Sequence, residues 1–199
     1  MDRGYPGESA VRYVSDHHRL PEEQRFVLRR TIVSADTALR RMTKALRLHN
    51  LRGLVVFVDG YNTIITTQSL LAGYPVYLCD DGFLRDMRGF FRSEKASVVN
   101  VCAFSEILNL LVKAMPARVE VLLDQQISRS GELAREVRGL MAKRDLPGDA
   151  RCVRDVDHRL KVCGNIIATS DGNVIDAASS VIDIPGEIAR ERFIRPLLV

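Results

Sequence analysis

Five short apolar runs in this chain are each followed by aspartate: Asp59 after "LVVFV", Asp80 and Asp81 after "PVYLC", Asp124 after "VEVLL", Asp155 and Asp157 after "ARCVR", and Asp171 shortly after "NIIAT". Carboxylates gathered in one cleft repel one another, which raises their pKa values and costs stability unless cations offset the charge. Oxygen-rich, carboxylate-dominated sites suit Mg²⁺ or Mn²⁺, hard ions that keep several waters and bridge to substrate phosphates. Two such ions can stabilise both the attacking and the leaving oxygen of phosphodiester cleavage. Metal-assisted phosphoryl chemistry is therefore the reaction class these residues propose. The plain alternative is that each aspartate is a turn former or a helix cap, and Asp59-Gly60 is by itself a strong turn signal.

The elements that must position these side chains can be read from hydrophobic patterning. The runs at 54–58, 75–79, 119–123, 150–154 and 165–169 are separated by stretches long enough for helices, which predicts a parallel α/β layout. In open parallel sheets the functional crevice lies beyond the carboxyl ends of the strands, so each of the five runs is expected to deliver its aspartate to one edge. After Gly60 the apolar residues Ile64, Ile65, Leu70 and Leu71 follow helical spacing, which makes Asp59 the end of a strand-to-helix junction rather than of a hairpin. "VNVCAFSEILNLLVKAMPA" reads as an apolar helix stopped by Pro116. "SRSGELAREVRGLMAKRDLPG" reads as an amphipathic helix with Ser130 as N-cap and Pro147-Gly148 at its end. The start of that helix places Ser128, Arg129 and Ser130 directly after Asp124, where free N–H groups and the helix dipole favour an anion, making it a candidate phosphate site. Arg85 and Arg88, just past Asp81, either hold substrate phosphates or neutralise the acidic edge.

Residues 1–50 carry ten Arg and Lys against six Asp and Glu, whereas residues 51–199 carry nineteen of each, so the whole net charge of +4 sits in the front segment. A helical basic module over 1–50 joined to an α/β body over 51–199 suggests contact with phosphate, and a nucleic acid is the partner that fits. Within the module "SAVRYV" is a short helix, and "PEEQRFVLRRTIVSADTALRRMTKALRLHN" is one long helix or two joined near Ser34. The module is expected to fold onto its own body or onto a second copy of the chain. At 46% hydrophobic content the chain can bury a real core, yet its apolar runs are of strand length, too short for a membrane span, and the N-terminus lacks a signal-peptide layout. A cytoplasmic location is expected. Cys79, Cys102, Cys152 and Cys163 form no CxxC pair and are expected to be small core residues. No nucleotide-binding glycine loop is present. His17 and His18 lack a nearby ligand partner, while His158, after Asp157, could reach the cleft.

"VVFVDGYNTI" resembles the first motif of the NYN branch of PIN-like ribonucleases, and "IIATSDGNVID" resembles the late strand of the same superfamily. The resemblance implies a three-layer α/β/α fold with a mainly parallel sheet that gathers acidic residues around Mg²⁺ or Mn²⁺ and hydrolyses RNA. It implies Asp59 as first-strand metal ligand with Asn62 in support, Asp171 as late-strand ligand, and Asp157 and Asp124 as the remaining acids. Asp81 is a further candidate ligand, and Glu106 in "FSEILNLL" is the candidate for the helical glutamate that such nucleases commonly carry. The whole chain also resembles a prokaryotic family without assigned activity that joins an "RGYP…RL…EEQR" front module to such a body. A haloacid-dehalogenase phosphatase would need a second aspartate where Tyr61 stands. The expected activity is a metal-dependent endoribonuclease, with a non-catalytic RNA-binding protein on the same fold as the alternative. On the first reading Asp59, Asp124, Asp157 and Asp171 converge within reach of one or two shared ions.

Overall fold

The computed structural model describes residues 1–87 and 101–198. Three helices open the chain: α1 (Gly7–His17), α2 (Glu22–Thr31) and α3 (Ala35–Met42). The long helical stretch is thus two helices, because Ile32 is extended and Ser34 caps α3, its hydroxyl accepting from the Thr37 N–H at 3.3 Å. The body follows as β1 (Ala45–Leu46), a 3-10 turn (Leu48–Leu51), β2 (Val55–Asp59), α4 (Gly60–Leu71), β3 (Val76–Leu78), β4 (Leu84–Asp86) and α5 (Val101–Ala114). It continues through β5 (Arg118–Asp124), α6 (Ser130–Ala142), β6 (Gly148–Val153), α7 (Val156–Val162), β7 (Ile166–Ala168), α8 (Gly172–Ala177), β8 (Val181–Ile182), α9 (Ile184–Glu191) and β9 (Leu197–Leu198). Arg88 and the first residues of the expected "VNVCAF" helix lie outside the described residues.

Six strands form a sheet in the order β1-β8-β7-β2-β5-β6, every pairing parallel. Side chains alternate between its faces, as the two-residue period of a strand requires. Val56, Val58, Val119, Val121, Leu123, Ile166 and Ala168 enter one core, which is closed by α4, α5, α6 and α9. Phe57, Leu122 and Ile167 enter the other, with Leu160 of α7 and Val174 and Ile175 of α8. Helices therefore cover both faces, and the strands read as continuous apolar runs because neither face meets water.

One expectation fails here. The run "PVYLC" forms β3 as predicted, but β3 belongs to a separate three-stranded sheet, pairing antiparallel with β4 and parallel with β9. The edge of the main sheet therefore receives nothing from Asp80 or Asp81. The front segment folds onto its own body: β1 extends the main sheet, and Arg41 of α3 reaches Asp176 at the end of α8. Of the four cysteines Cys79 is buried, and the half-buried Cys152 and Cys163 pack against the two cores, so the core reading fails only for the exposed Cys102.

Gly60 explains how β2 turns into α4. It is helical, and a Cβ there would lie 2.7 Å from the Leu122 carbonyl oxygen and 2.6 Å from a Leu123 methyl. The glycine lets α4 start directly against β5, so it serves close approach rather than the positive φ of an Asp-Gly turn.

Candidate functional site

From β2 the sheet grows along the chain to β5 and β6 on one side, then returns to place β7 and β8 on the other, where β8 pairs with β1 from the front of the chain. The order reverses between β2 and β7, and in open parallel sheets a ligand crevice forms at the carboxyl ends of the strands at such a switch point. Val58 of β2 stands opposite Ala168 of β7, so the next residues in each strand direction, Asp59 and Thr169, meet at that crevice.

The contacts there tie the two strand ends together. Thr169 donates its hydroxyl to Asp59 Oδ2 at 2.9 Å, and Asp59 Oδ1 accepts from the Asn62 N–H at 3.4 Å. Asn62 Oδ1 in turn accepts from the Ser170 N–H at 2.8 Å and the Ser170 hydroxyl at 3.0 Å. Asp171 follows, its Oδ1 accepting from the N–H groups of Asn173 and Val174 at 2.9 and 3.1 Å as the cap of α8. Asp59 and Asp171 thus do serve as helix caps, the plain role open to them from sequence. Capping occupies Oδ1 in both.

The electrostatics go beyond capping. Asp59 is 7% exposed, and burial pushes its carboxyl up to about 7 against the opposing hydrogen bonds from Thr169 and Asn62, while Asp157 and Asp171 push it in the same upward direction. Asp157 stands exposed in the first turn of α7. Asp124, at the end of β5 two positions beyond the level of Asp59, accepts from the Gln126 N–H at 2.8 Å. The Tyr61 hydroxyl is pushed up by burial, then by Cys152 and Asp124. Asp59, Asn62, Asp157 and Asp171 therefore share one locality, and Asp124 lies on its Tyr61 side.

Other candidates are placed elsewhere. Asp81 is fully buried, and its oxygens take Arg85 at 2.8 and 2.7 Å and Arg41 at 2.9 Å. Burial alone would push this carboxyl up, but the hydrogen bonds and charges of Arg85 and Arg41 outweigh it and hold it below the ordinary carboxylate range. Asp81 is an internal counter-ion and no metal ligand, and Arg85, buried beside it, cannot greet substrate. Glu106 pairs with Arg192, beyond the end of α9, away from the acidic locality. Arg129 pairs with Glu132 at 2.7 Å and occupies the cap position of α6 in a left-handed conformation, leaving Ser130 buried as the first helical residue and Ser128 exposed. Ser130 is thus not the N-cap. His158 is exposed on α7.

Thr169 and Ser170 are the site residues that sequence reasoning missed. The available signal was two hydroxyls between an apolar strand and Asp171, in the "TSD" segment.

The donor set at the crevice is all oxygen, which suits a hard divalent ion. Among the described residues, however, no group of three or more His, Cys, Asp or Glu stands together so as to hold an ion, so the expected convergence of four carboxylates is not met. An ion at this edge would rest on one or two carboxylates, with water and substrate phosphate supplying the rest, which is the usual manner of Mg²⁺.

Fold and site together define a parallel α/β protein with an acidic switch-point crevice and a basic helical front. Residues 48–187 match the family described as "Domain of unknown function (DUF5616)", and residues 1–44 match "Protein of unknown function (DUF434)". The chain belongs to the DUF5616 family. It is also 30% identical over 189 residues to "Uncharacterized protein MJ0935" of Methanocaldococcus jannaschii, an overlap covering 94% of this chain and 90% of that protein. No solved structure matches it. No described helix is long and apolar enough to cross a membrane.

Proposed function

We propose that this protein is a divalent-metal-dependent ribonuclease on a PIN-like fold, acting at the crevice between the ends of β2 and β7. The observation that carries the reading is Asp59: a buried carboxyl at the topological switch point, pushed up to about 7, chiefly by burial and in part by Asp157 and Asp171. A carboxylate set this costly is the kind that a cation relieves, and perturbed acids in a crevice mark functional sites.

Asp59 and Asp171 would hold Mg²⁺ or Mn²⁺, with Asp157 and Asp124 flanking. When bound, the ion supplies an activated water and neutralises charge on the phosphodiester. The chain's own residues prepare the place. Thr169 fixes Asp59 Oδ2, Asn62 clamps the Ser170 backbone so that Asp171 follows at a set distance, and the caps of α4 and α8 hold both carboxyl groups in one orientation. The basic front segment would draw the RNA backbone. The PIN-like and NYN resemblance supports the same reading through "VVFVDGYNTI" and "IIATSDGNVID".

A second reading, an RNA-binding protein that does not cut, is favoured by the absence of a three-acid group among the described residues and by the pairing of Glu106 with Arg192. Incubating purified protein with labelled single-stranded and structured RNA in Mg²⁺, Mn²⁺ or EDTA separates the two. The nuclease reading expects metal-dependent cleavage that Asp59→Asn and Asp171→Asn abolish. Salt-sensitive binding without cleavage in either metal would establish the binder instead.

A further inference from the structure

The front helices form a second place with chemistry of its own. On α1, Glu8, Arg12 and Ser15 fall at helical spacing on one face, and on α2, Arg25 and Arg29 fall four residues apart. These stripes line a cleft of about 290 Å³ between the two helices. That volume is at the small end of ligand pockets, large enough for a phosphate group and part of what carries it.

Ser15 makes the cleft unusual. Its side chain is 1% exposed, it lines the cleft, and its Oγ has no hydrogen-bond partner. A buried hydroxyl left without a partner costs free energy that a ligand acceptor would recover. Arg25 is held as a wall, giving Nε to the Leu20 carbonyl at 2.7 Å, Nη2 to the Ser15 carbonyl at 3.1 Å and Nη1 to Asp16. Arg12 and Arg29 are exposed and have no acidic partner among the described residues. Glu8, in the first turn of α1, is the acid in the lining and is outnumbered by three guanidiniums. A larger groove bounded by α5 and α9 differs on this point: its Glu106 is paired with Arg192 and its Lys113 with Glu191, so it offers no comparable unmet group.

We propose that the α1–α2 cleft binds a phosphate group, with Arg12 and Arg29 supplying the charge and bidentate donors and Ser15 Oγ donating the hydrogen bond it lacks in the free protein. Guanidinium forks match phosphate geometry, and the phosphate can be free or part of RNA. The proposal does not depend on the acidic crevice, and no metal takes part in it.

The test is a titration of the full-length protein in EDTA with inorganic phosphate, following the Arg Nε–Hε and Ser15 amide NMR signals. Saturable shifts at Arg12, Arg29 and Ser15 are expected. Arg12→Gln combined with Arg29→Gln should weaken phosphate by at least about tenfold. Ser15→Ala should weaken it several-fold while leaving the thermal stability of the free protein unchanged or higher, because the hydroxyl removed has no partner there. A structural role for Ser15 would instead lower stability and leave phosphate affinity alone. Short RNAs bearing a 5′-phosphate or a 5′-hydroxyl identify the source: a preference for the first marks a terminal phosphate, equal binding a backbone phosphate, and binding of inorganic phosphate alone a small-molecule ligand. Absence of saturation, or unchanged affinity in both variants, overturns the proposal.

Discussion

Arg85 donates Nε to the Ser170 carbonyl at 2.7 Å while its two terminal nitrogens grip Asp81. This contact joins the small sheet to the loop that carries Thr169, Ser170 and Asp171, and Arg41 joins α3 to the same network by bridging Asp81 and Asp176. The acidic crevice is therefore braced from behind by an internal chain of charges.

That brace has a measurable weight. Asp81→Asn leaves two buried guanidiniums with a weakened partner, and breaking a buried ion pair of this kind costs about 3–5 kcal/mol. Thermal denaturation should show the melting temperature falling by roughly 10 °C for a chain of this size. A drop of less than about 2 °C would mean that Asp81 is not the hub of the network.

Asp59 makes stability depend on pH in a stated direction. Its folded pKa of about 7 lies above the ordinary 3.8, so between those values the folded chain holds a proton that the unfolded chain has released. Asp183, likewise pushed up to about 6 by burial, acts with the same sign. Stability is fully present below the unfolded value and falls as pH rises through about 7, by up to roughly 4 kcal/mol for Asp59. In metal-free buffer Asp59→Asn should flatten this fall and melt above the parent at about pH 8. A variant whose pH profile superimposes on the parent's would show that Asp59 titrates normally.

Thr169→Val removes the donor to Asp59 Oδ2 in nearly the same volume. The Asp59 carboxyl should then titrate still higher, because the Thr169 hydrogen bond lowers its pKa. The loss of a partner for this buried oxygen is expected to destabilise by about 1–3 kcal/mol. Carboxyl ¹³C shifts followed through a pH titration read both the direction and its absence.

Gly60→Ala forces a Cβ against the Leu122 carbonyl and the Leu123 side chain. Overpacking at a backbone contact costs about 1–3 kcal/mol, and α4 must shift away from β5 to relieve it. Since α4 carries Asn62, metal or RNA affinity should fall with stability. Chemical denaturation with an unchanged midpoint would argue that the junction can relax freely.

What could be read in the sequence was local. Asp59 and Asp171 stood out because each ends or closely follows an apolar strand and precedes a glycine and a helical pattern, and the structure brings both to the switch point between β2 and β7. Sheet membership was not local. "PVYLC" has the pattern of any buried strand, yet β3 pairs with β4 and β9 instead of the main sheet. The strands β1, β8 and β9 are two residues long, too short for periodicity to register. The Arg41–Asp81 pair spans 40 positions and the Arg85–Ser170 contact 85, distances at which no sequence pattern links the partners. For this reason Arg85 and Asp81 looked like site residues when they are its internal support.

The most direct test of the account is where a divalent ion goes. In isotope-labelled protein, substoichiometric Mn²⁺ should broaden the amide signals of Asp59, Asn62 and Asp171 first, with Asp157 and Asp124 next, and Asp59→Asn should weaken that pattern by at least about tenfold in Mn²⁺ concentration. Broadening that begins elsewhere, or that persists unchanged in Asp59→Asn, would contradict a metal site at the β2–β7 crevice.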